Sequence, residues 1–208
     1  PTKNYQAGTF AGHDSISGEA LTNSILTNTI RCEGCPVPHD REINLKESPY
    51  GSIHGEYGGA EYESIGALGS MCMVDDLVPI NVANEMCNAY GVDTISAGVT
   101  IAWVMECYEK GIFTKEDTGG LDLRFGNADA MLAMTKMIGK REGLGALLAR
   151  GVRDASKIVG KGSERFAVHV KGLELAGHTP RPFPAAAVGY ATGPRGGSHH
   201  DSRTTSEK

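Results

Sequence analysis

The sequence predicts a mainly α-helical fold whose helices are joined by long loops rich in glycine and proline. Helix-capping residues precede several apolar runs with helical spacing, and glycines stand where those runs end. Hydrophobic residues make up 40% of the 208 residues, which is enough to fill a core. The 28 glycines include adjacent pairs between the runs, where the backbone can approach a ligand closely.

The first half of the chain begins with a short helix and then a loop that holds two cysteines. Ser17 is a good N-cap for a short amphipathic stretch, which leads into the cysteine loop. Residues 40–58 are expected to be extended or looped. Asp75 or Asp76 then caps a helix that runs to Tyr90 and ends at a glycine.

The second half is predicted to continue with helices. Asp93 caps the next helix and Asn127 the one after it. Residues 144–159 have apolar residues on one helical face and basic residues on the other, which predicts one continuous amphipathic helix. Residues 166–170 are expected to form a strand, and residues 177–200 to be irregular apart from a short apolar stretch.

Composition restricts the class of protein. The formal net charge is −5 and no basic stripe is present, so we expect no nucleic-acid partner. No apolar run approaches the ~18 residues that span a bilayer, so we expect no membrane partner. Five cysteines without a secretory signal favour a reducing, cytoplasmic location, with Cys72, Cys87 and Cys107 as buried thiols. The chain begins without methionine, and we expect it to be a fragment of a longer polypeptide.

The cysteine loop is the strongest single motif. Cys32 and Cys35 are separated by two residues and followed by Pro36, with His39 four positions after the second cysteine. This spacing lets two thiolates converge on one metal, and a neighbouring proline is typical of many iron–sulfur loops. A redox dithiol and a zinc knuckle are the alternatives.

The segment from Asn88 to Asp93 is a tight junction between two predicted helices. Gly91 permits a close backbone approach, and Asp93 stands at a helix N-terminus. The junction could face a ligand whose ring N–H groups need an acceptor, such as a pterin or a purine. The alternative is an ordinary helix stop followed by a capping aspartate.

Two further segments hold candidate proton-transfer groups. Glu63 closes a Glu-Tyr-Glu sequence, where the alternatives are a solvated carboxylate and a buried one with a raised pKa. His199 and His200 follow a Gly-Gly pair and could bind a metal or move protons near neutral pH. Adjacent side chains of an extended segment point apart, so at most one of the two is expected to be catalytic. His178 has no evident partner.

Taken together, these segments resemble the tungsten-pterin aldehyde ferredoxin oxidoreductase family. They occur in the family's order and cover nearly the whole chain. The matching segments are Cys32-Glu33-Gly34-Cys35-Pro36, Glu61-Tyr62-Glu63, Asn88-Ala89-Tyr90-Gly91-Val92-Asp93-Thr94-Ile95-Ser96, Arg124-Phe125-Gly126-Asn127, Arg141-Glu142-Gly143-Leu144-Gly145, Val170-Lys171-Gly172-Leu173-Glu174 and Arg195-Gly196-Gly197-Ser198-His199.

The resemblance implies two cofactors, a tungsten or molybdenum bis-pterin and a 4Fe–4S cluster. Gly91, Val92 and Asp93, with Asn88, would line one pterin. The family's pterin motif opens with aspartate, and Asn88 stands in its place.

The resemblance also implies the metal ligands and the catalytic residues. Cys32 and Cys35 would be ligands of the cluster, and His39 stands where the family has its third cysteine. Glu63 and His199 fall where the family places a glutamate and a histidine close to the metal, and we expect these two residues to be catalytic.

For the whole protein, the resemblance implies oxidation of aldehydes to carboxylic acids, with ferredoxin as electron acceptor. Residues 1–175 would be the family's second, helical domain and residues 176–208 the start of the third. The remaining domains of the parent chain and a second copy of the protein are the other expected partners. The alternatives are an aromatic acyl-CoA reductase of the same family and a cofactor-free structural or zinc-binding module.

Overall fold

The computed structural model describes residues 1–181 and 183–201, and within these ranges the fold is mainly α, as predicted. The strands among them form two separate antiparallel pairs, β1 with β2 and β3 with β4. In chain order the elements are α1 Gly18–Ser24, β1 Leu26–Ile30, β2 Asp40–Ile43, α2 Tyr62–Leu68, α3 Leu77–Tyr90, α4 Thr94–Glu109, α5 Ala128–Lys140, α6 Leu144–Leu148, α7 Val152–Val159, β3 His169–Val170, β4 Leu173–Glu174 and α8 Pro184–Thr192.

Helix α4 forms the centre of the core. Its residues are buried without interruption from Ala97 to Cys107, as expected for a helix that is apolar on all sides. The indole of Trp103 is fully buried and donates a hydrogen bond to the carbonyl of Ser163 at 3.0 Å. Gly98 lies directly against the backbone of Ala67, so α2 and α4 pack closely.

Capping side chains start the helices at the predicted positions. Ser17, Asp76, Asp93 and Asn127 each accept a first-turn backbone N–H, at distances of 2.7–3.2 Å. Of the two aspartates considered for α3, Asp76 is the cap. Gly91 ends α3 in the left-handed conformation, with φ of 67°, which glycine adopts without a steric penalty.

The expectation of one continuous helix over residues 144–159 is wrong. The chain forms α6 and α7 with a break at Gly151, whose φ is 80°. The carboxylate of Glu174 enters this break and accepts the N–H of Val152 at 2.6 Å. A buried side chain from another part of the chain therefore caps α7, which a local amphipathic pattern cannot reveal.

Two further expectations need correction. The strand expected over residues 166–170 is confined to His169–Val170, because Ser163–Phe166 forms a 3₁₀ turn. The segment expected to be irregular contains α8, which begins with Pro184 in its first turn, where the missing N–H costs nothing. The domain boundary at 175/176 stays a prediction, and residues 182 and 202–208 of the second proposed domain lie outside the described residues.

No single described helix is long and apolar enough to cross a membrane. One pair of helical segments bent by 119°, Tyr62–Cys72 and Leu77–Tyr90, reaches that length and composition when taken together.

Candidate functional site

Glu63 lies in a cluster with two histidines from distant parts of the chain. The Nε2 atom of His178 is 2.8 Å from Glu63 Oε1, and the Nε2 atom of His199 is 3.9 Å from the same oxygen. Glu63 and His199 were both predicted as site residues, and the fold brings them together. About 14% of the Glu63 side chain is exposed, against 35% for His178.

The backbone around His178 is fixed by hydrogen bonds from surrounding elements. The N–H of Gly177 donates to Glu63 Oε2 at 2.7 Å, and the hydroxyl of Tyr190 donates to the carbonyl of His178 at 2.9 Å. Tyr5 donates to the carbonyl of Leu175. Burial, with the nearby Glu63 carboxylate, raises the pKa of Tyr190 to about 12, so this phenol remains a hydrogen-bond donor at neutral pH.

The second carboxylate oxygen of Glu63 is left without a satisfactory partner. Oε1 is buried, and no described residue makes a well-aligned hydrogen bond to it, although His178 is in contact. A buried acceptor without a hydrogen bond is unfavourable and calls for an explanation. A proton shared with His178, whose Nε2 lies 2.8 Å away, would satisfy this oxygen.

The three histidine rings at this site are stacked side by side. The centroid of the His199 ring is 4.8 Å from that of His178 and 4.0 Å from that of His200. The expectation that the side chains of His199 and His200 point apart is therefore wrong. Both residues lie in a turn after α8, and the alternation that separates neighbours applies only to extended strands.

The helix junction from Asn88 to Asp93 lies beside this cluster. The hydroxyl of Ser64, next to Glu63 on α2, is 2.8 Å from that of Thr94, which follows Asp93. The first turns of α2 and α4 are therefore joined directly, and two sites predicted independently from the sequence are neighbours in the fold.

The junction opens into a cleft of about 280 Å³. Gly91 and Val92 line the cleft, and the space around Gly91 where a side chain would project is open. Asp93 is exposed and uses one oxygen to cap α4. Asn88 is exposed too, and its amide donates to the carbonyl of Asn84 within its own helix at 2.8 Å. Asp93 therefore caps α4, as one of the two interpretations of this junction predicted. The open cleft also leaves room for a ligand.

The predicted metal ligands lie in the loop between β1 and β2. Cys32 and His39 are exposed, Cys35 is half-buried, and the N–H of Cys35 donates to the carbonyl of Cys32 at 3.0 Å. The ligand atoms of Cys32, His39 and Asp40 lie within 4.8 Å of one another, whereas the thiol of Cys35 lies 3.6 Å from the carbonyl of Val37.

The five cysteines are free and fall into two groups. Burial raises the pKa of the Cys87 and Cys107 thiols to about 12 and also raises that of Cys72, so all three remain protonated, as predicted for buried thiols. Cys32 is exposed. A hydrogen bond from its thiol to the Asp40 carboxylate, together with the negative charge of that group, raises its pKa.

Sequence reasoning missed His178 and Asp40. His178 lies in a Gly- and Pro-rich segment with no polar pattern, and its contact with Glu63 depends entirely on the fold. Asp40 was taken as the start of an extended segment. Its position directly after His39 was the available signal, because a second donor adjacent to a candidate ligand can reach the same metal.

The fold and the site define a helical domain in which the helix that carries a carboxylate–imidazole cluster is joined to a helix junction lining a cleft. The model of the family described as aldehyde ferredoxin oxidoreductase, domains 2 and 3, matches residues 1–208. The chain therefore belongs to the aldehyde ferredoxin oxidoreductase family, and the resemblance drawn from its motifs is confirmed.

Several relatives share most of this chain. The tungsten-containing aldehyde ferredoxin oxidoreductase of Pyrococcus horikoshii is 41% identical over 203 residues, which cover 96% of this chain and 32% of that relative. The enzyme of the same name from Thermococcus kodakarensis is 38% identical over 200 residues, with the same coverage of 96% and 32%. The aliphatic sulfonate oxidoreductase, WOR-like subunit, of Pyrococcus furiosus is 31% identical over 173 residues, covering 80% of this chain and 27% of that subunit.

A solved structure has the same fold. The active-site complex BamBC of benzoyl coenzyme A reductase with 1,5-dienoyl-CoA gives a TM-score of 0.73 at 23% identity, over 93% of this chain and 29% of that one. This likeness supports the fold alone. The chain spans about a third of the length of its tungsten-containing relatives, whose coverage is 32%.

Proposed function

We propose that this chain is the part of a tungsten-containing oxidoreductase that lines the cofactor cleft and transfers protons during oxidation of aldehydes to carboxylic acids. The observation that carries the proposal is the convergence of Glu63, His178 and His199 beside the Asn88–Asp93 junction. Family membership supports the reaction class, and the tungsten-containing relatives support the metal.

The residues at the junction fit a bis-pterin group. The open space over Gly91 allows a planar ring to approach the backbone, and the exposed Asp93 offers a carboxylate to ring N–H groups. Gly91, Val92 and Asp93 would hold one pterin, with Asn88 at the start of the motif. The bound metal, tungsten in the relatives and tungsten or molybdenum in the proposal, supplies the two-electron redox chemistry.

The carboxylate–imidazole cluster would accept the protons released by the reaction and transfer them to solvent. Oxidation of an aldehyde with water gives a carboxylic acid, two electrons and two protons, so the site needs a base and a route to solvent. Glu63 and His199 are the more buried members and would take protons at the substrate. His178 touches Glu63 and is more exposed, so it would pass protons outward.

Electrons would leave through an iron–sulfur cluster to ferredoxin. Cys32, Cys35 and His39 are the proposed ligands in this chain, and the exposure of Cys32 and His39 supports coordination by groups from more than one domain. The remaining domains would complete both cofactor sites, and a homodimer is proposed as the assembly. The free thiols of this chain support a reducing cytoplasmic location.

The test is the metal content and substrate range of the full-length parent protein. We expect tungsten with iron, and aldehyde-dependent reduction of ferredoxin. Activity confined to benzoyl-CoA would favour the aromatic acyl-CoA reductase, and activity confined to aliphatic sulfonates would also overturn the proposed substrate. Zinc in place of tungsten and iron would favour a structural or zinc-binding module.

A further inference from the structure

We infer that Asp40 is a metal ligand, and that its carboxylate joins Cys32 and His39 as a donor in the loop between β1 and β2. The assignment rests on the proposed function only for the identity of the resident group. The geometry that supports it belongs to this chain and can be tested on this chain alone.

The strand pairing of the hairpin brings the donors together. Ile30 pairs with Asp40 and Thr29 with Arg41, so the strand pairing closes the loop two positions before Cys32 and directly after His39. Asp40 is the first residue of β2, and its backbone is fixed by pairing with β1 at the end of the loop. The fold thus fixes a carboxylate at the mouth of the cysteine loop.

The Asp40 carboxylate lies between the other two donors. Its Oδ2 is 3.3 Å from the thiol of Cys32, and its Oδ1 is 3.4 Å from Nε2 of His39. Bonds of about 2.0–2.3 Å from one metal ion to nitrogen, oxygen and sulfur place the donor atoms roughly 3–4 Å apart. Both separations fall in this range, and the ligand atoms of all three residues lie within 4.8 Å of one another, so small movements would bring them to one ion.

The donor chemistry selects the class of metal. A thiolate, an imidazole and a carboxylate together suit zinc, cobalt and ferrous iron, whereas magnesium and calcium prefer oxygen ligands alone. Binding would release the proton of the Cys32 thiol, because the thiolate is the ligand. A single divalent ion and an iron atom of a cluster share this chemistry, and the experiment separates them.

The first experiment is a Co²⁺ titration of the reduced 208-residue chain, followed by thiolate-to-cobalt charge-transfer absorption. We expect binding by the unmodified chain. Asp40→Asn should weaken it about tenfold or more, since even indirect partners of ligands are worth 10–100-fold in metal affinity. Asp40→Ala should weaken it at least as much. The charge-transfer band should remain at saturating Co²⁺, because Cys32 is unchanged.

Asp14→Asn is the matched control. Asp14 also stands next to a histidine, with its Oδ1 3.0 Å from Nδ1 of His13, and both side chains are exposed. This control variant should bind Co²⁺ like the unmodified chain. Far-UV circular dichroism of all variants checks that the fold is kept. Equal affinity of the Asp40 variants and the unmodified chain, or absence of charge-transfer absorption in the unmodified chain, would overturn the inference.

The second experiment is anaerobic reconstitution of the chain with iron, and then with iron and sulfide. Bound iron with an equal amount of acid-labile sulfide identifies a cluster, and bound iron without sulfide identifies a single ion. In both cases Asp40→Asn should lower the bound iron and Asp14→Asn should not. Iron content that is the same in Asp40→Asn and the unmodified chain would contradict a ligand role.

This outcome is independent of the proposed activity. A parent protein without aldehyde oxidation would overturn the proposed function and leave the Asp40 dependence intact. Loss of the Asp40 dependence in an active parent protein would overturn the inference alone.

Discussion

The cluster at Glu63 and the loop at Cys32 hold their polar groups in different ways. Glu63 stands on a helix packed against α4, and hydrogen bonds from Gly177 and from Tyr190 hold its surroundings. The donors of the cysteine loop stand above a two-stranded hairpin, and most of β1 is exposed. The first site is organised by the core, whereas the cysteine loop is exposed except at Cys35, which is half-buried.

This difference predicts which of the two sites a change in helix packing or a change in the loop would disturb. A change in the helix packing should disturb the Glu63 cluster before it disturbs the hairpin. A change in the loop should alter metal affinity with little effect on folding stability, because few buried contacts depend on the loop.

The largest effect is expected for the proton-transfer residues. A general acid or base typically contributes about 10²–10⁴-fold to rate. Glu63→Gln and His199→Ala in the full-length parent protein should each lose roughly that much aldehyde turnover while the metal content is kept. Steady-state kinetics and metal analysis are the measurements.

His13→Ala is the control for this loss, because His13 is exposed and lies outside the cluster. It should retain normal turnover. Full activity in His199→Ala would remove its catalytic role, and loss of tungsten along with activity would point to a structural role instead.

The next effect concerns the contact between α2 and α4. A methyl group at position 98 would lie 2.4 Å from the backbone carbon of Ala67, so the two helices would have to separate. Overpacking of this kind typically costs about 1–3 kcal/mol. Gly98→Ala should therefore lower the free energy of unfolding by about 1–3 kcal/mol, as measured by urea denaturation of the chain.

Gly66→Ala provides the opposite case on the neighbouring helix. Gly66 lies within α2, and a methyl group there meets nothing within 4 Å. It should leave stability unchanged or raise it by about 0.5–1 kcal/mol, because alanine favours the helix. Equal destabilisation by both substitutions would contradict the close contact at Gly98.

A smaller effect is expected at the cap of α4. Asp93→Ala should cost about 1 kcal/mol in the free energy of unfolding, because the cap of Ser96 N–H is lost. Asp93→Asn should keep the helix, since asparagine is an equally good cap. In the parent protein, Asp93→Asn should nevertheless reduce pterin content, because one carboxylate acceptor becomes a donor. Full pterin occupancy would leave Asp93 with the capping role alone.

The smallest effect on stability is expected in the cysteine loop. Cys32 is exposed, so Cys32→Ala in the metal-free chain should change the free energy of unfolding by less than about 0.5 kcal/mol.

Alkylation with iodoacetamide at neutral pH should distinguish the cysteines of the loop from those of the core. Cys32 and Cys35 should be modified in the native chain. The buried Cys72, Cys87 and Cys107 should react only after unfolding, because burial blocks access and raises their pKa.

Mass spectrometry of the alkylated peptides is the measurement, and the same reaction in urea is the control. Native-state labelling of Cys87 or Cys107 would show that the core opens more readily than its packing implies.

The features that sequence reasoning captured are local. The cap of Asp93 joins atoms only three residues apart, so the sequence of those few residues contains the whole interaction. The same holds for Ser17, Asp76 and Asn127 and for the turn at Gly91. The order of the motifs along the chain could also be read from the sequence, and it was sufficient to predict the family and the mainly α fold.

The features that it missed are long-range. Glu63 and Gly177 are separated by 114 positions, and only the folded chain brings the segment with His178 against the carboxylate. The break between α6 and α7 depends on Glu174, whose carboxylate caps α7 from 22 positions away. Helix α8 was missed because its segment is rich in the glycine and proline that usually mark loops.

The family, the helical class and the helix caps could therefore be predicted from the sequence, and so could the candidate residues Cys32, Glu63, Asp93 and His199. The folded chain was needed to show that Glu63 and His199 lie together, and that His178 and Asp40 lie beside the predicted residues. The physical reason is that caps and turns are made within a few residues. The carboxylate–imidazole cluster instead depends on the packing of segments that lie 114 or more positions apart, and the place of Asp40 depends on the pairing of β1 with β2.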